Sequence, residues 1–332
     1  MLGAIALAPV LLFLAGLVQF DAYKLLRVRT VLAMVAAGAL AGVASYFANN
    51  FALEHFSGDF TAFSHFVSPW IEECLKAILL VFLVRTRRVG LPVDAGIAGF
   101  AIGTGFALVE NLYYLASRPD AALAVQIIRG FGTAIMHGGT MTLMAMISVT
   151  LYDRRPQGGP ALLLPGYLAA VAMHSAYNYL LVQPMLATLA MLVALPLVIY
   201  LVFERSERAL RDWLDTGLDA NVQLLEAINS GSFLESPSGR YLQTLREHFR
   251  GEDLADMLCL LRLNGELALR AKGILLLRES GLDEAPLDDE TRAKLAELAE
   301  LKRAIGHIGM LALRPLLIAS GKDIWELTLL GT

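Results

Sequence analysis

Apolar residues fall along the chain in seven runs, at residues 3–20, 31–52, 63–84, 93–116, 124–151, 161–181 and 184–203. Each comes close to the ~20 residues that carry a helix across a bilayer core. The pattern predicts an all-α, polytopic membrane bundle of about seven spans. From Glu204 onward the pattern changes to amphipathic helical spacing, with Leu254, Leu258, Leu261 and Leu269 as one stripe and Leu295, Leu298, Leu301 and Ile305 as another. No strand alternation is present there. Gly281 to Pro286 separates two longer helices, and Ser236-Pro237-Ser238-Gly239 reads as a turn after a first helix that continues from the last span. The chain therefore divides into residues 1–203 and a helical part, 204–332, of a size that forms a small bundle or a dimer.

Composition sharpens that division. Hydrophobic residues make up 56% of the chain, too many for one large soluble core. Residues 1–203 carry 11 basic and 9 acidic side chains, against 16 and 22 in 204–332, so the net charges are +2 and −6. No dense basic patch exists, which excludes a nucleic-acid binder. Basic residues cluster in alternate connections: Lys24, Arg27 and Arg29; Arg85, Arg87 and Arg88; Arg154 and Arg155; Arg205, Arg208 and Arg211. The opposite connections hold Arg118 with Glu54, Asp59 and Asp120. Because Lys and Arg are retained on the cytoplasmic side, this predicts the N-terminus outside and residues 204–332 in the cytoplasm. The first run has no basic segment before it and is read as a retained helix rather than a signal peptide. The two cysteines, Cys74 and Cys259, lie in different parts of the chain and form neither a disulfide framework nor a CxxC metal site. Cys74 is read as a small buried hydrophobe rather than a nucleophile.

Polar residues inside the runs carry the chemistry. Glu72, Glu73 and Lys76 interrupt the third run, Glu110 and Asn111 the fourth, His137 the fifth and His174 the sixth. An ionisable group at mid-bilayer costs ~2.5 to 3.5 kcal/mol on insertion scales, so such a cluster persists only where partners or water receive it. At a helical rise of ~1.5 Å per residue, all four groups fall about 8 to 20 Å below the extracytoplasmic face. Lys76 lies one turn from both glutamates, Tyr114 one turn from Glu110, and Asn178 one turn from His174. Gly138 and Gly139 beside His137, and Ala95, Gly99 and Gly103 in the fourth run, allow the close helix approach that a shared site needs. Pro69, just before Glu72, is placed to open a kink.

Two carboxylates, two imidazoles and an amide in a dehydrated pocket suit peptide hydrolysis. A glutamate deprotonates water, His137 and His174 hold a metal or polarise a carbonyl, and Asn178 stabilises the oxyanion. Two histidines and a carboxylate suffice for a catalytic zinc with an open position, although no HExxH is present and the histidines lie 37 residues apart. Taken singly, each feature has a plainer reading. Glu72, Glu73 and Lys76 would serve as a buried ion cluster fixing helix register, and either histidine as a packed, hydrogen-bonded residue. Asn111, Tyr113, Tyr114 and Asn178 are each ordinary alone, tyrosine being common near interfaces, and Arg129 and His65 read as interfacial or snorkelling residues. Their common depth favours a site.

Glu72-Glu73-Cys74-Leu75-Lys76, Phe106 through Glu110-Asn111-Leu112-Tyr113-Tyr114, His137, and His174-Ser175-Ala176-Tyr177-Asn178 together resemble the ordered motifs of PrsW-type intramembrane proteases. That family is similar to a larger group containing type II CAAX prenyl endopeptidases and bacteriocin-processing enzymes, with motifs EExxxR, FxxxH and HxxxN. The resemblance covers about residues 60–180 and implies cleavage of a membrane-associated protein such as an anti-sigma factor on its extracytoplasmic side, in a prokaryotic cytoplasmic membrane. It implies Glu72, Glu73, Glu110, His137 and His174 as catalytic residues, with Lys76, Asn111, Tyr114 and Asn178 in support, and leaves two alternatives: His137 and His174 as ligands of zinc or another divalent metal, or a glutamate-activated water without a metal. Lys76 comes one residue earlier than the arginine of the CAAX group, which argues against prenyl-protein processing. The HxxxN pattern of His174 and Asn178 is closer to that group.

The competing class is a proton-coupled transporter or channel, since buried carboxylates and histidines also build a proton relay. Against it, the runs show no inverted repeat. A non-catalytic receptor is a third class. Residues 204–332 hold no catalytic constellation and are read as a regulatory or partner-binding domain.

Overall fold

A computed structural model of the chain describes residues 2–19, 26–117, 123–155, 158–180, 184–282, 287–317 and 321–331. Lys24, Arg118, Asp120 and most of the Gly281–Pro286 connection lie outside these residues. Among the described residues every regular element is a helix: α1 (Leu2–Gln19), α2 (Val28–Glu54), α3 (Phe60–Phe66), α4 (Ser68–Arg85), α5 (Pro92–Ser117), α6 (Leu123–Arg154), α7 (Leu164–Leu180), α8 (Pro184–Ser230), α9 (Pro237–Thr244), α10 (Gly251–Glu279), α11 (Asp289–Leu317) and α12 (Gly321–Trp325), with short 3-10 turns between some of them. Three helical stretches among the described residues, Val28–Glu54, Pro92–Ser117 and Gly130–Arg154, are long and apolar enough to cross a membrane.

The chain forms two compact units, Met1–Glu207 and Arg208–Thr332, with the division inside α8. In the first, α5 is the central post. Every residue from Val93 to Ala107 is buried, packed by α1, α2 and α6. Small residues make this possible. A Cβ on Gly103 would lie 2.1 Å from the His137 carbonyl oxygen on α6, and one on Gly105 would lie 1.9 Å from that of Val35 on α2. The α5 backbone thus touches both neighbours directly, at distances no side chain tolerates. At its start the buried Asp94 carboxylate accepts the backbone N–H groups of Gly90, Leu91 and Ala95 at 2.7–3.0 Å, satisfying donors that have no partner within the helix.

The third apolar run is not one helix. It breaks at Val67 into α3 and α4, because Pro69 in the first turn of α4 has no N–H to continue the preceding helix and its ring collides with that turn. Asp59 caps α3 by accepting the Ala62 N–H at 2.7 Å. Glu72 and Glu73 consequently lie one turn into α4, not midway along a long span. Pro69, Glu73, Lys76, Leu80 and Leu83 form its buried stripe. Cys74, a further 100° round the helix from Glu73, is exposed rather than buried, so the expectation of a buried small hydrophobe does not hold there.

In the second unit, Phe233, Leu242, Met257, Leu260, Leu261, Leu267, Leu298, Ile305 and Leu313 are core residues. The buried stripe of α10 is centred on Met257, Leu260, Leu267 and Ala271, with Leu254, Leu258 and Leu269 at its margins. Ser236 and Pro237 do not simply turn the chain. Ser236 caps α9 by accepting the Gly239 N–H at 3.0 Å, and Pro237 takes the first helical position, where its missing N–H costs nothing. Gly281, at φ +70°, ends α10 in the left-handed conformation that glycine adopts without strain, and the Leu282 N–H donates to the Leu277 carbonyl at 2.9 Å. Lys272 pairs with Glu326 in the interior, and its ammonium lies 4.6 Å from the centre of the Trp213 ring.

Candidate active site

Side chains from α2, α4, α5, α6 and α7 meet in one hydrogen-bonded layer inside the first unit. From α4, the Lys76 ammonium donates to Glu73 Oε1 at 2.6 Å and to His137 Nδ1 on α6 at 2.9 Å. His137 Nε2 lies 2.6 Å from Glu110 Oε2 on α5. His174 on α7 places Nδ1 2.8 Å from Glu73 Oε1 and Nε2 3.8 Å from Glu72 Oε2. The two imidazole rings stand edge to face, with centres 4.9 Å apart. Phe106 covers the layer, 4.7 Å from the Lys76 ammonium and 4.7 Å from the His137 ring. Glu73, Lys76 and His137 are wholly buried, whereas 33% of the Glu110 side chain and 13% of that of Glu72 are exposed.

Packing fixes each member locally. His137 is held where the α5 and α6 backbones touch at Gly103, and a Cβ on Gly138 would sit 2.5 Å from the Phe100 ring. The Lys76 donor requires a lone pair on His137 Nδ1, so Nε2 carries the proton that is donated to Glu110. His174 must in turn carry a proton on Nδ1 for Glu73, which leaves the lone pair of Nε2 toward Glu72. Thr140, one turn after His137, also faces Glu73 Oε1, at 3.5 Å, while Glu73 Oε2 is buried without a hydrogen-bond partner among the described residues.

The supporting residues are placed differently from the sequence expectation. The Asn178 amide nitrogen does not donate to His174. It donates to the Ser64 carbonyl oxygen at 2.9 Å and so ties α3 to α7. Asn111 donates to the Gly130 carbonyl at 2.9 Å, joining α5 to α6. Tyr114 is half-buried, one turn beyond Glu110. Two members of the layer went unread in the sequence: Asn49 of α2 donates to Glu72 Oε1 at 3.0 Å, and Ser68 of α4 donates to the same oxygen at 2.6 Å. For Asn49 the available signal was Ser45 one turn earlier, a polar pair on one face of an apolar helix.

Glu72, His137 and His174 each offer a ligand atom, and these atoms lie within 4.8 Å of one another. The donor set suits a divalent cation. It has two imidazoles and a carboxylate, with a second carboxylate, Glu73, fixing the tautomer of His174 as outer-shell partners of metal-ligating histidines do. Three carboxylates against one ammonium leave the layer, with neutral imidazoles, at a formal charge of −2, which such an ion cancels. His137 would offer Nε2 to an ion by releasing the proton it shares with Glu110 while Nδ1 takes one from the Lys76 ammonium, so that the ring stays a neutral imidazole and one proton leaves on metal binding.

A family model described as PrsW family intramembrane metalloprotease matches residues 27–202, a stretch that contains every member of this layer. No curated protein and no solved structure matches the chain. The match spans more than half of the sequence, and the layer supplies the carboxylates and histidines that such chemistry requires, so the transporter reading gives way: the chain belongs to the PrsW family of intramembrane metalloproteases and is a peptidase.

Proposed function

We propose that this peptidase cuts a membrane-anchored protein at a peptide bond presented in the outer half of the bilayer, and that the layer of Glu72, Glu73, Lys76, Glu110, His137 and His174 does the work. The observation that carries this reading is the unbroken series of contacts from Glu110 through His137, Lys76 and Glu73 to His174, assembled from four helices in an apolar interior. Within it the carboxylates divide their roles. Glu73, fully buried and bound to Lys76 and His174, orients both. Glu110, the most exposed of the three and paired with His137, accepts a proton from the attacking water and delivers it to the leaving amine. Glu72, with one oxygen toward His174, would hold a divalent cation together with His174 and His137. Zinc is the ion these donors suit best, and when bound it polarises the scissile carbonyl and acidifies water. Lys76 and the surrounding apolar side chains keep the charges paired and bulk water out.

The proposed setting is a seven-span bundle with its N-terminus outside and residues 204–332 in the cytoplasm of a prokaryote, supported by the alternation of basic connections. An anti-sigma factor or another single-span protein is a substrate of the right kind. The test compares protein N-termini in membranes and culture fluid of cells making the wild type or a Glu72→Gln, Glu73→Gln variant of equal abundance. The expected result is a new terminus near the outer edge of a single-span protein, found with the wild type alone. Identical profiles would remove the proposal.

A further inference from the structure

We infer that Asn49 is a positioning residue of the site: from α2 it fixes which oxygen of Glu72 is presented to His174 and to a bound divalent cation. The inference rests on the reading of Glu72 as a ligand given above. Ser45 and Asn49 continue the buried stripe Val31, Met34, Gly38, Ala41 of α2 by two further turns, and there Asn49 reaches Glu72 on α4. Both protons of the Asn49 amide nitrogen are engaged, one on Ser45 Oγ at 3.1 Å and one on Glu72 Oε1 at 3.0 Å. The amide cannot turn over without setting its own oxygen against the carboxylate. Ser68 Oγ donates to the same Glu72 oxygen at 2.6 Å. Two donors therefore occupy Oε1 and leave Oε2 as the oxygen facing His174 Nε2.

A purely structural role accounts poorly for this residue. Oδ1 of Asn49 is buried with no hydrogen-bond partner among the described residues, which is a cost that an apolar side chain at the same place would avoid. Holding the carboxylate is what offsets it. Hydrogen-bonded partners of metal ligands typically contribute 10- to 100-fold in affinity, through orientation rather than contact with the ion.

The test is a zinc titration of the purified full-length protein by chelator competition. The variants are Asn49→Leu, which keeps the volume and removes the donor, Ser68→Ala, which removes the other donor, Asn50→Leu on the exposed neighbour, and His174→Ala. The expected outcome is one tight zinc per wild-type chain, lost in His174→Ala, with the dissociation constant raised about 10-fold in Asn49→Leu and in Ser68→Ala and unchanged in Asn50→Leu. Should Asn49→Leu fail to fold by its thermal transition, Ser68→Ala carries the test of the anchored oxygen. Wild-type affinity in folded Asn49→Leu overturns the inference and leaves the peptidase reading standing. No zinc bound by the wild type overturns the inference together with the assignment of Glu72 as a ligand.

Discussion

Lys76 and Glu73 are each fully buried and in contact, so each charge is balanced by the other rather than by water. Breaking one side of such a pair leaves the other uncompensated, which costs ~3 to 5 kcal/mol. Lys76→Met is accordingly expected to unfold at a lower temperature and to accumulate poorly. Adding Glu73→Leu to it restores abundance, measured by thermal transition and membrane content, while cleavage stays absent. At this scale the sequence was informative wherever the chemistry itself was improbable. Glu72, Glu73, Lys76, Glu110, His137 and His174 stand out because charge and imidazole are expensive in an apolar helix. Asn49 did not, since a neutral amide beside Asn50 near the end of an apolar run reads as interfacial. Helical spacing and the HxxxN pattern both put Asn178 with His174. Its partner is the backbone carbonyl of Ser64, more than a hundred residues away, which no local pattern specifies.

Among the elements, the backbone contacts of α5 set how closely the layer can assemble. Gly103→Val forces a side chain into the space held by the His137 carbonyl, and overpacking of this kind costs ~1 to 3 kcal/mol or more. The expected result is a lowered thermal transition and lost activity, whereas Gly159→Val, where nothing lies within 4 Å of a Cβ, leaves both unchanged. Tying α3 to α7 is assigned to Asn178, so Asn178→Ala should raise amide hydrogen exchange in residues 60–66 without altering that of α5. The glycine spacing in α5 and the effect of Pro69 were both legible. The full extent of the break was not, because Phe60 to Arg85 is apolar throughout apart from its few polar positions, and hydropathy carries no record of which carbonyls go unpaired. The continuation of α8 was legible as well: the apolar run ends near Phe203, and the helix runs on from the last span to Ser230, short of the Ser236–Gly239 segment.

For the whole molecule, the charge shift near Glu204 and the compact units meeting at Glu207 fall within a few residues of each other. The second unit makes a pH prediction of its own. Burial pushes the Glu326 carboxyl up from the ordinary 4.5 to about 7, against the opposing pull of the Lys272 ammonium. The folded chain then holds this proton more tightly than the unfolded chain. The stabilisation is complete below about pH 4.5 and is lost as pH rises through about 7. Glu326→Gln should flatten the dependence of the second unit's unfolding on pH between 5 and 8 by roughly 1 to 3 kcal/mol, as followed in the full-length protein by Trp213 and Trp325 fluorescence. The regulatory or partner-binding role of this unit remains a proposal, tested by whether its deletion changes which substrates are cut.

The central claim is that the buried layer hydrolyses a peptide bond, and solvent oxygen tests it most directly. The purified protein and its single-span substrate are incubated in lipid vesicles in water enriched in oxygen-18, and the new C-terminus is analysed by mass spectrometry. One heavy oxygen per cut is predicted for the wild type. Glu110→Gln should cut at least ~100-fold more slowly, as loss of a general base entails, and the Glu72→Gln, Glu73→Gln variant not at all. Cleavage at the wild-type rate in folded Glu110→Gln and in the double variant would contradict the account.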